Sequence, residues 1–241
     1  MAHPTVLTLD AGGTTSTFSA WREGREVVPP FTLPAQVQDL EPCLAHYVAG
    51  FERARAAAGG CEALSFAFPG PADYRHGVIG ALANMPAFRE PVPLGPLLEA
   101  HFDCPVFIHN DGDLFALGEA LGGFLPEVNG ALAAAGSIRR FRNLVGLTLG
   151  TGFGGGLVVN GELLRGDNGA AGEVWLLRHR DRPDTFVEEG VSLRALRRTY
   201  AEGTGIALAE VPEPRCLADI ARGQAAGDRE AARAAFTQLG R

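Results

Sequence analysis

Two stretches of this chain follow one plan. Leu7-Thr8-Leu9-Asp10 runs into Ala11-Gly12-Gly13-Thr14-Thr15, and Leu147-Thr148-Leu149-Gly150 runs into Thr151-Gly152-Phe153-Gly154-Gly155-Gly156. Short apolar runs that stop at glycines read as buried strands entering tight turns. The first strand is expected over Thr5 to Asp10 with its partner near Ser16 to Trp21. The second is expected over Leu144 to Leu149 with a partner over Leu157 to Val159, and the Asn160-Gly161 that follows is a strong hairpin signal. Further strands are expected over Leu64 to Phe68 and Val106 to His109. Helical periodicity covers Glu41 to Ala58, Leu94 to His101, Ser192 to Ala201 and Asp228 to Leu239. Another helix opens at Asn110-Asp111, with Leu114, Leu117, Gly118 and Leu121 as its expected apolar face. Strands followed by helices in two similar halves imply an α/β fold. Gly122-Gly123 divides the chain into expected domains 1–121 and 122–241.

The glycine turns suggest chemistry. Gly150, Gly152 and Gly155 satisfy G-x-G-x-x-G, but the dinucleotide reading needs a helix directly after the motif, and here a strand and hairpin follow. Glycines without Cβ also let backbone N–H groups converge on an anion, and the Thr14 and Thr151 hydroxyls add donors. A single turn of this kind is read as a hairpin with no ligand. Two, at equivalent places in two halves, favour phosphate. All 21 basic residues are arginine, which excludes a Walker lysine, a lysine base and Schiff-base chemistry. Phosphate must then be held by backbone amides, hydroxyls, metal or arginine.

Composition removes other classes. The net charge of −7 speaks against a nucleic-acid groove. No apolar stretch reaches the roughly 18 residues of a membrane span, and the N-terminus has no basic start followed by an apolar run, so a cytoplasmic location is expected. Cys43, Cys61, Cys104 and Cys216 form no CxxC or CxC pair and read as reduced, buried thiols.

Asp10-Ala11-Gly12-Gly13-Thr14 resembles the first phosphate motif of the sugar kinase, hexokinase and actin superfamily, and Gly150 to Gly156 resembles its second. Phe68-Pro69-Gly70-Pro71, Ala83-Asn84-Met85-Pro86, Asn110-Asp111 and Asn168 to Glu173 follow in family order, and with them the chain resembles the ROK family of bacterial sugar kinases and sugar-responsive repressors. The resemblance implies an actin-like, ribonuclease-H-like two-domain sugar kinase with a central cleft. It also implies ATP-dependent phosphorylation of a hexose or hexose derivative, glucokinase-like, with ATP and Mg²⁺. By physical criteria alone, Asp111 is equally a helix cap and a base; the resemblance makes it the general base. It also makes Asn84, Asn110, Glu173 and Glu188 sugar ligands, with Glu189 as a rival to Glu188. Gly12, Gly13, Thr14, Gly150, Thr151, Gly152 and Gly154 become the phosphate and nucleotide contacts, and Asp10 a Mg²⁺ site acting through water.

The chain departs from the family in two places. Many members carry a histidine after the Gly-Glu motif and then a zinc-binding cysteine cluster. Here Trp175 stands near the histidine position and Leu176 to Val187 has no cysteine, so zinc is not expected and His179 reads as a surface or core residue. The chain also reaches Arg241 before the strand and Gly-Gly turn with which family members hold adenosine, so that portion is expected to be missing. The alternatives are a non-catalytic sugar-binding relative and a transcriptional regulator, the latter opposed by the absence of an N-terminal helix-turn-helix. Homodimers are common in the family and remain an option; nucleic-acid and membrane partners are not expected.

Overall fold

The computed structural model describes residues 3–82 and 85–240. They form two compact units, which divide between Leu114 and Phe115.

The first unit is built on a five-stranded sheet of order β3-β2-β1-β4-β7. Strands β1 (Thr5–Ala11), β2 (Thr15–Arg22) and β3 (Arg25–Pro34) form an antiparallel meander. Helix α1 (Leu40–Ala58) follows and leads to β4 (Ala63–Ala67), which lies parallel to β1. A short pair, β5 (Ala72–Asp73) and β6 (Val78–Ile79), precedes helix α2 (Leu94–Phe102) and strand β7 (Val106–His109), which is parallel to β4. The alternation in β1 buries Thr5, Leu7 and Leu9, as the two-residue period of a strand requires. α1 covers the sheet with Cys43, Tyr47, Phe51 and Ala54, a spacing that keeps them on one helical face. Phe51 meets Phe18 edge-on, with ring centroids 5.3 Å apart. Each such ring contributes about 1.5–3 kcal/mol by leaving water. β3 escaped the sequence reading because Pro29 and Pro30 interrupt it. It occupies the sheet edge, where missing N–H donors cost no ladder bond.

Helix α3 (Asp111–Leu121) leads into the second unit, followed by α4 (Phe124–Ala134). Strands β8 (Leu144–Leu149), β9 (Phe153–Val159) and β10 (Glu162–Leu163) form an antiparallel sheet of order β10-β9-β8. Asn160 and Gly161 turn the second hairpin with φ of 54° and 85°. The chain ends in the helices α5 (Glu188–Val191), α6 (Leu193–Thr204), α7 (Pro214–Arg222) and α8 (Arg229–Leu239). The side chains of Ser192 and Asp228 cap α6 and α8 by accepting the N–H groups of Ala195 and Ala231, the usual work of Ser and Asp at that position.

The apolar face expected for α3 is only partly the one it buries. Leu121 is 61% exposed, whereas Ala116 and Ala120 are buried with Leu125 and Val158. A Cβ on Gly146 would stand 2.7 Å from the Ala116 Cβ. Helix and strand approach so closely that the fully covered stripe is made of small residues, with Leu117 packed partly buried beside it. Helix α4 was missed for a related reason, since Leu125 is its one fully buried side chain among the described residues. α7 was also missed. It starts with Pro214 in its first turn and buries only Leu217 and Ile220. Among the described residues, no helix is long and apolar enough to cross a membrane.

Candidate active site

In the first unit the parallel strands bring the expected residues to one end of the sheet. Asp10 is in register with Ala67 of β4, and Ala67 with His109 of β7. The first glycine turn, the Phe68-Pro69-Gly70-Pro71 segment and Asn110-Asp111 therefore leave the sheet side by side at the carboxyl ends of β1, β4 and β7, the end at which open α/β sheets bind ligands. The first turn closes with the Gly12 N–H donating to the Thr15 carbonyl at 2.9 Å, and the Ala35 N–H donating to the Thr14 carbonyl at 3.0 Å. Gly13 and Thr14 are exposed. Asp10 is exposed too, and its carboxylate makes no hydrogen bond or ion pair among the described residues. A hard, free carboxylate beside a turn of backbone amides fits a hydrated Mg²⁺.

Asn110 is the residue that caps α3. Its amide oxygen accepts the N–H groups of Gly112 at 2.8 Å and Asp113 at 3.3 Å. Its amide nitrogen donates to the Tyr74 hydroxyl at 3.3 Å, and that hydroxyl donates to the Phe68 carbonyl at 3.0 Å. Both ends of the Asn110 amide are thus committed within the protein, leaving one N–H for anything else. Asp111, the first residue of the helix, does not have to cap it. Its Oδ1 accepts the Gly112 N–H at 2.9 Å and the residue is exposed. Asp113 is buried. Asn84 lies outside the described residues; next to it, Met85 is buried and precedes a single 3₁₀ turn, Pro86–Phe88.

In the second unit the glycine turn proper is Gly150 to Gly152, closed by the Gly150 N–H donating to the Gly152 carbonyl at 3.0 Å. Gly154 was expected in this turn, but β9 already begins at Phe153 and pairs Gly154 with Thr148. Three groups from the α5–α6 segment grip the turn. The Leu193 N–H donates to the Gly150 carbonyl at 2.9 Å, Arg194 Nη1 donates to the Thr151 carbonyl at 2.8 Å, and Glu188 Oε2 accepts the Phe153 N–H at 2.9 Å. A Cβ on Gly152 would stand 2.7 Å from that same Oε2, so a glycine is needed there for the carboxylate to come this close.

The two neighbouring glutamates separate by environment. Glu188 sits on the turn and receives Arg194 Nη2 at 2.9 Å. Glu189 lies between Arg194 Nη2 at 3.3 Å and Arg198 Nη1 at 3.0 Å. The Glu189 carboxyl is held below its ordinary value, chiefly by the hydrogen bond from Arg198. Arg194 is held above its own, first by Glu188 and then by Glu189.

Glu173 accepts a short hydrogen bond from the Trp175 indole N–H. The Trp175 ring meets Phe186 edge-on at 5.5 Å, and the Arg178 guanidinium lies over Phe186 at 5.2 Å. His179 is buried, with Nδ1 accepting the N–H groups of Asp181 at 3.1 Å and Arg182 at 3.2 Å. It therefore holds its own loop in shape. A cavity of about 390 Å³ lies in this unit, lined among others by His179, Arg182, Glu189 and Arg198. Of the expected site residues, Glu189, the rival to Glu188, is the one in its lining among the described residues.

Sequence reasoning missed Arg194, Tyr74 and the bond from Trp175 to Glu173. For Arg194 a signal existed: it follows a Ser N-cap by two residues, and a cation in the first turn opposes the helix dipole. Nothing in local sequence marks Tyr74 as a partner of Asn110, since the two are distant in the chain.

The ROK family model matches residues 6–180. The glucokinase of Parabacteroides distasonis is 53% identical, superposes with a TM-score of 0.89, and is matched over 99% of this chain and 67% of its own. The ROK hexokinase of Thermus thermophilus is 26% identical with a TM-score of 0.72, over 98% of this chain and 73% of its own. The N-acetyl-D-glucosamine kinase of Vibrio vulnificus is 30% identical over 234 residues, 92% of this chain and 72% of that protein. With the motifs in order at the sheet ends and the fold of these kinases, the chain belongs to the ROK family and has its actin-like α/β architecture.

Proposed function

We propose that this protein transfers the γ-phosphoryl group of ATP to a hydroxyl of a hexose, with Asp111 as the general base. Glucose is the first substrate to test, because the relative at 53% identity is a glucokinase; N-acetylglucosamine is the second, from the relative at 30%. The observation that carries the reading is the division of labour at the start of α3. Asn110 takes the capping work, so the adjacent exposed carboxylate of Asp111 is available to a ligand.

Phosphoryl transfer asks the protein mainly for positioning and charge stabilisation, with one group to accept the hydroxyl proton. Asp111 accepts that proton as the hydroxyl oxygen forms its bond to phosphorus and ADP departs. Asn110, through its remaining N–H, and Glu173 and Glu188 orient the sugar hydroxyls. Asn84 is assigned the same work. Amides and carboxylates suit it because each can pair with adjacent hydroxyls in a fixed geometry. The amides of the two glycine turns and the hydroxyls of Thr14 and Thr151 hold the phosphates. Asp10 is the residue that would hold Mg²⁺ through water, and the ion would supply neutralising charge to the phosphate oxygens. Residues 1–121 contribute the base and the first turn, and 122–241 the second turn and Glu188.

A coupled ADP-release assay with Mg²⁺·ATP and a hexose panel tests this. Asp111→Asn is expected to lower kcat by about 10²–10⁴-fold, the usual contribution of general-base catalysis, while sugar still raises the melting temperature of the variant. Equal turnover in variant and wild type would remove Asp111 from the role.

A further inference from the structure

Arg194 occupies an unfavourable place. It lies in the first turn of α6, two residues after the Ser192 cap, where unpaired helix N–H groups already concentrate positive charge. Two carboxylates offset this, Glu188 at 2.9 Å and Glu189 at 3.3 Å. The other arm of the guanidinium donates to the carbonyl of Thr151 in the second glycine turn. Lysine, with one nitrogen, cannot span a carboxylate and a backbone carbonyl in fixed geometry as the planar fork does.

The consequence for the turn follows from peptide geometry. In a trans peptide the C=O of one residue and the N–H of the next point in opposite directions. Leu193 draws the Gly150 carbonyl toward α6, so the Thr151 N–H points away from that helix. Arg194 draws the Thr151 carbonyl the same way, so the Gly152 N–H points away as well. Among the described residues neither of these two amides donates a hydrogen bond. Glu188 completes the grip by taking the next amide, that of Phe153. Two adjacent N–H groups are thereby presented together on the side away from α6, an arrangement suited to an anion.

We infer that Arg194 is a positioning residue for the phosphoryl donor, locking the Gly150–Gly152 turn in the orientation that offers the Thr151 and Gly152 amides to phosphate. The inference rests on the kinase reading above. It adds a residue that touches neither sugar nor ATP and acts through the turn.

The test uses the full chain and the variants Arg194→Gln and Arg194→Lys. Loss of the fork is expected to raise the KM for ATP by about tenfold or more, as removal of a charge-assisted positioning contact does. The KM for sugar should rise by a smaller factor than that for ATP, because Arg194 bonds the Thr151 carbonyl of the turn directly and would reach the sugar only through Glu188. Arg194→Lys should fall between wild type and Arg194→Gln. A second readout is independent of turnover. In ¹H–¹⁵N spectra of the wild type, a magnesium complex of a non-hydrolysable ATP analogue should shift the Thr151 and Gly152 amides, and in Arg194→Gln these shifts should be lost. An ATP KM within twofold of wild type in Arg194→Gln would overturn the inference and leave the kinase reading standing. Amide shifts in the wild type without turnover on any sugar would overturn the kinase reading, and their loss in Arg194→Gln would still support the positioning role. Unshifted wild-type amides would overturn the positioning role.

Discussion

Glu188 and Glu189 are indistinguishable in the sequence, and their partners make them different groups. Glu188 shares its two oxygens between the glycine turn and Arg194. Glu189 is an anchor for Arg198 and Arg194, and its carboxyl is depressed mainly by Arg198. A depressed carboxyl stabilises the fold above its unfolded value and loses that contribution as pH falls through the folded one. Glu189→Gln should therefore lower the melting temperature at pH 7. The gap to wild type should close as pH drops below about 4.5, the ordinary value of the group. Melting curves from pH 7 to pH 3 check this, and a gap that persists at the acid end would mean that Glu189 acts through packing. The motif residues were legible as types at spacings, but their partners were not. The sequence does not show that Asn110 is also held by Tyr74 and two backbone amides, or that Glu173 is bonded to Trp175. The cysteines show the same limit. Cys61 and Cys104 are distant in sequence, yet burial first, then the neighbouring Cys61, pushes the Cys104 thiol up to about 11.

At the scale of elements, periodicity worked where an element buries a wide apolar face against a sheet. Helix α1 and strands β1, β4 and β7 were read within a residue or two of their observed ends, since Tyr47, Phe51, Leu7 and Phe66 mark their buried sides plainly. It failed where contact is made through small residues. Ala116 and Ala120 of α3 lie against β8 at a distance that Gly146 sets, and apolar size is then a misleading guide. Gly146→Ala should cost about 1–3 kcal/mol, the usual range for overpacking. The new methyl would meet both Cα and Cβ of Ala116, at 2.9 and 2.7 Å, and backbone cannot yield as a flexible side chain can. Chemical denaturation measures the change. A cost under about 0.5 kcal/mol, the size of an ordinary surface substitution, would show that α3 can withdraw from β8 freely.

Across the whole molecule, the chain divides into two compact units, Met1–Leu114 and Phe115–Arg241, and their interiors differ. The first unit has one continuous core rich in aromatic rings, from Phe18 and Phe51 through Phe66, Phe68 and Phe88. The second has two separate clusters, one around Leu196, Leu217 and Ile220 and one around Ala116, Ala120, Leu125 and Val158, both with a large share of alanine. One face of β8 also leaves Val145, Leu147 and Leu149 64%, 46% and 53% exposed. Since opening free energy follows buried apolar contact, amides of β1, β4 and β7 should be the last to exchange with solvent deuterium, and those of β8, β9 and α6 should exchange through smaller openings. Ligand then becomes a probe of the site. A ligand bound to the native state alone at about a hundred times its Kd adds about 2.7 kcal/mol against opening. A non-hydrolysable ATP analogue with Mg²⁺ should therefore slow exchange in β8, β9 and the Gly150–Gly152 turn by up to about a hundredfold, with weaker slowing in β1, where the resident protection is already high. Exchange in the second unit that is indifferent to the nucleotide would show that its glycine turn is a hairpin alone, and would leave the phosphate role to the first turn.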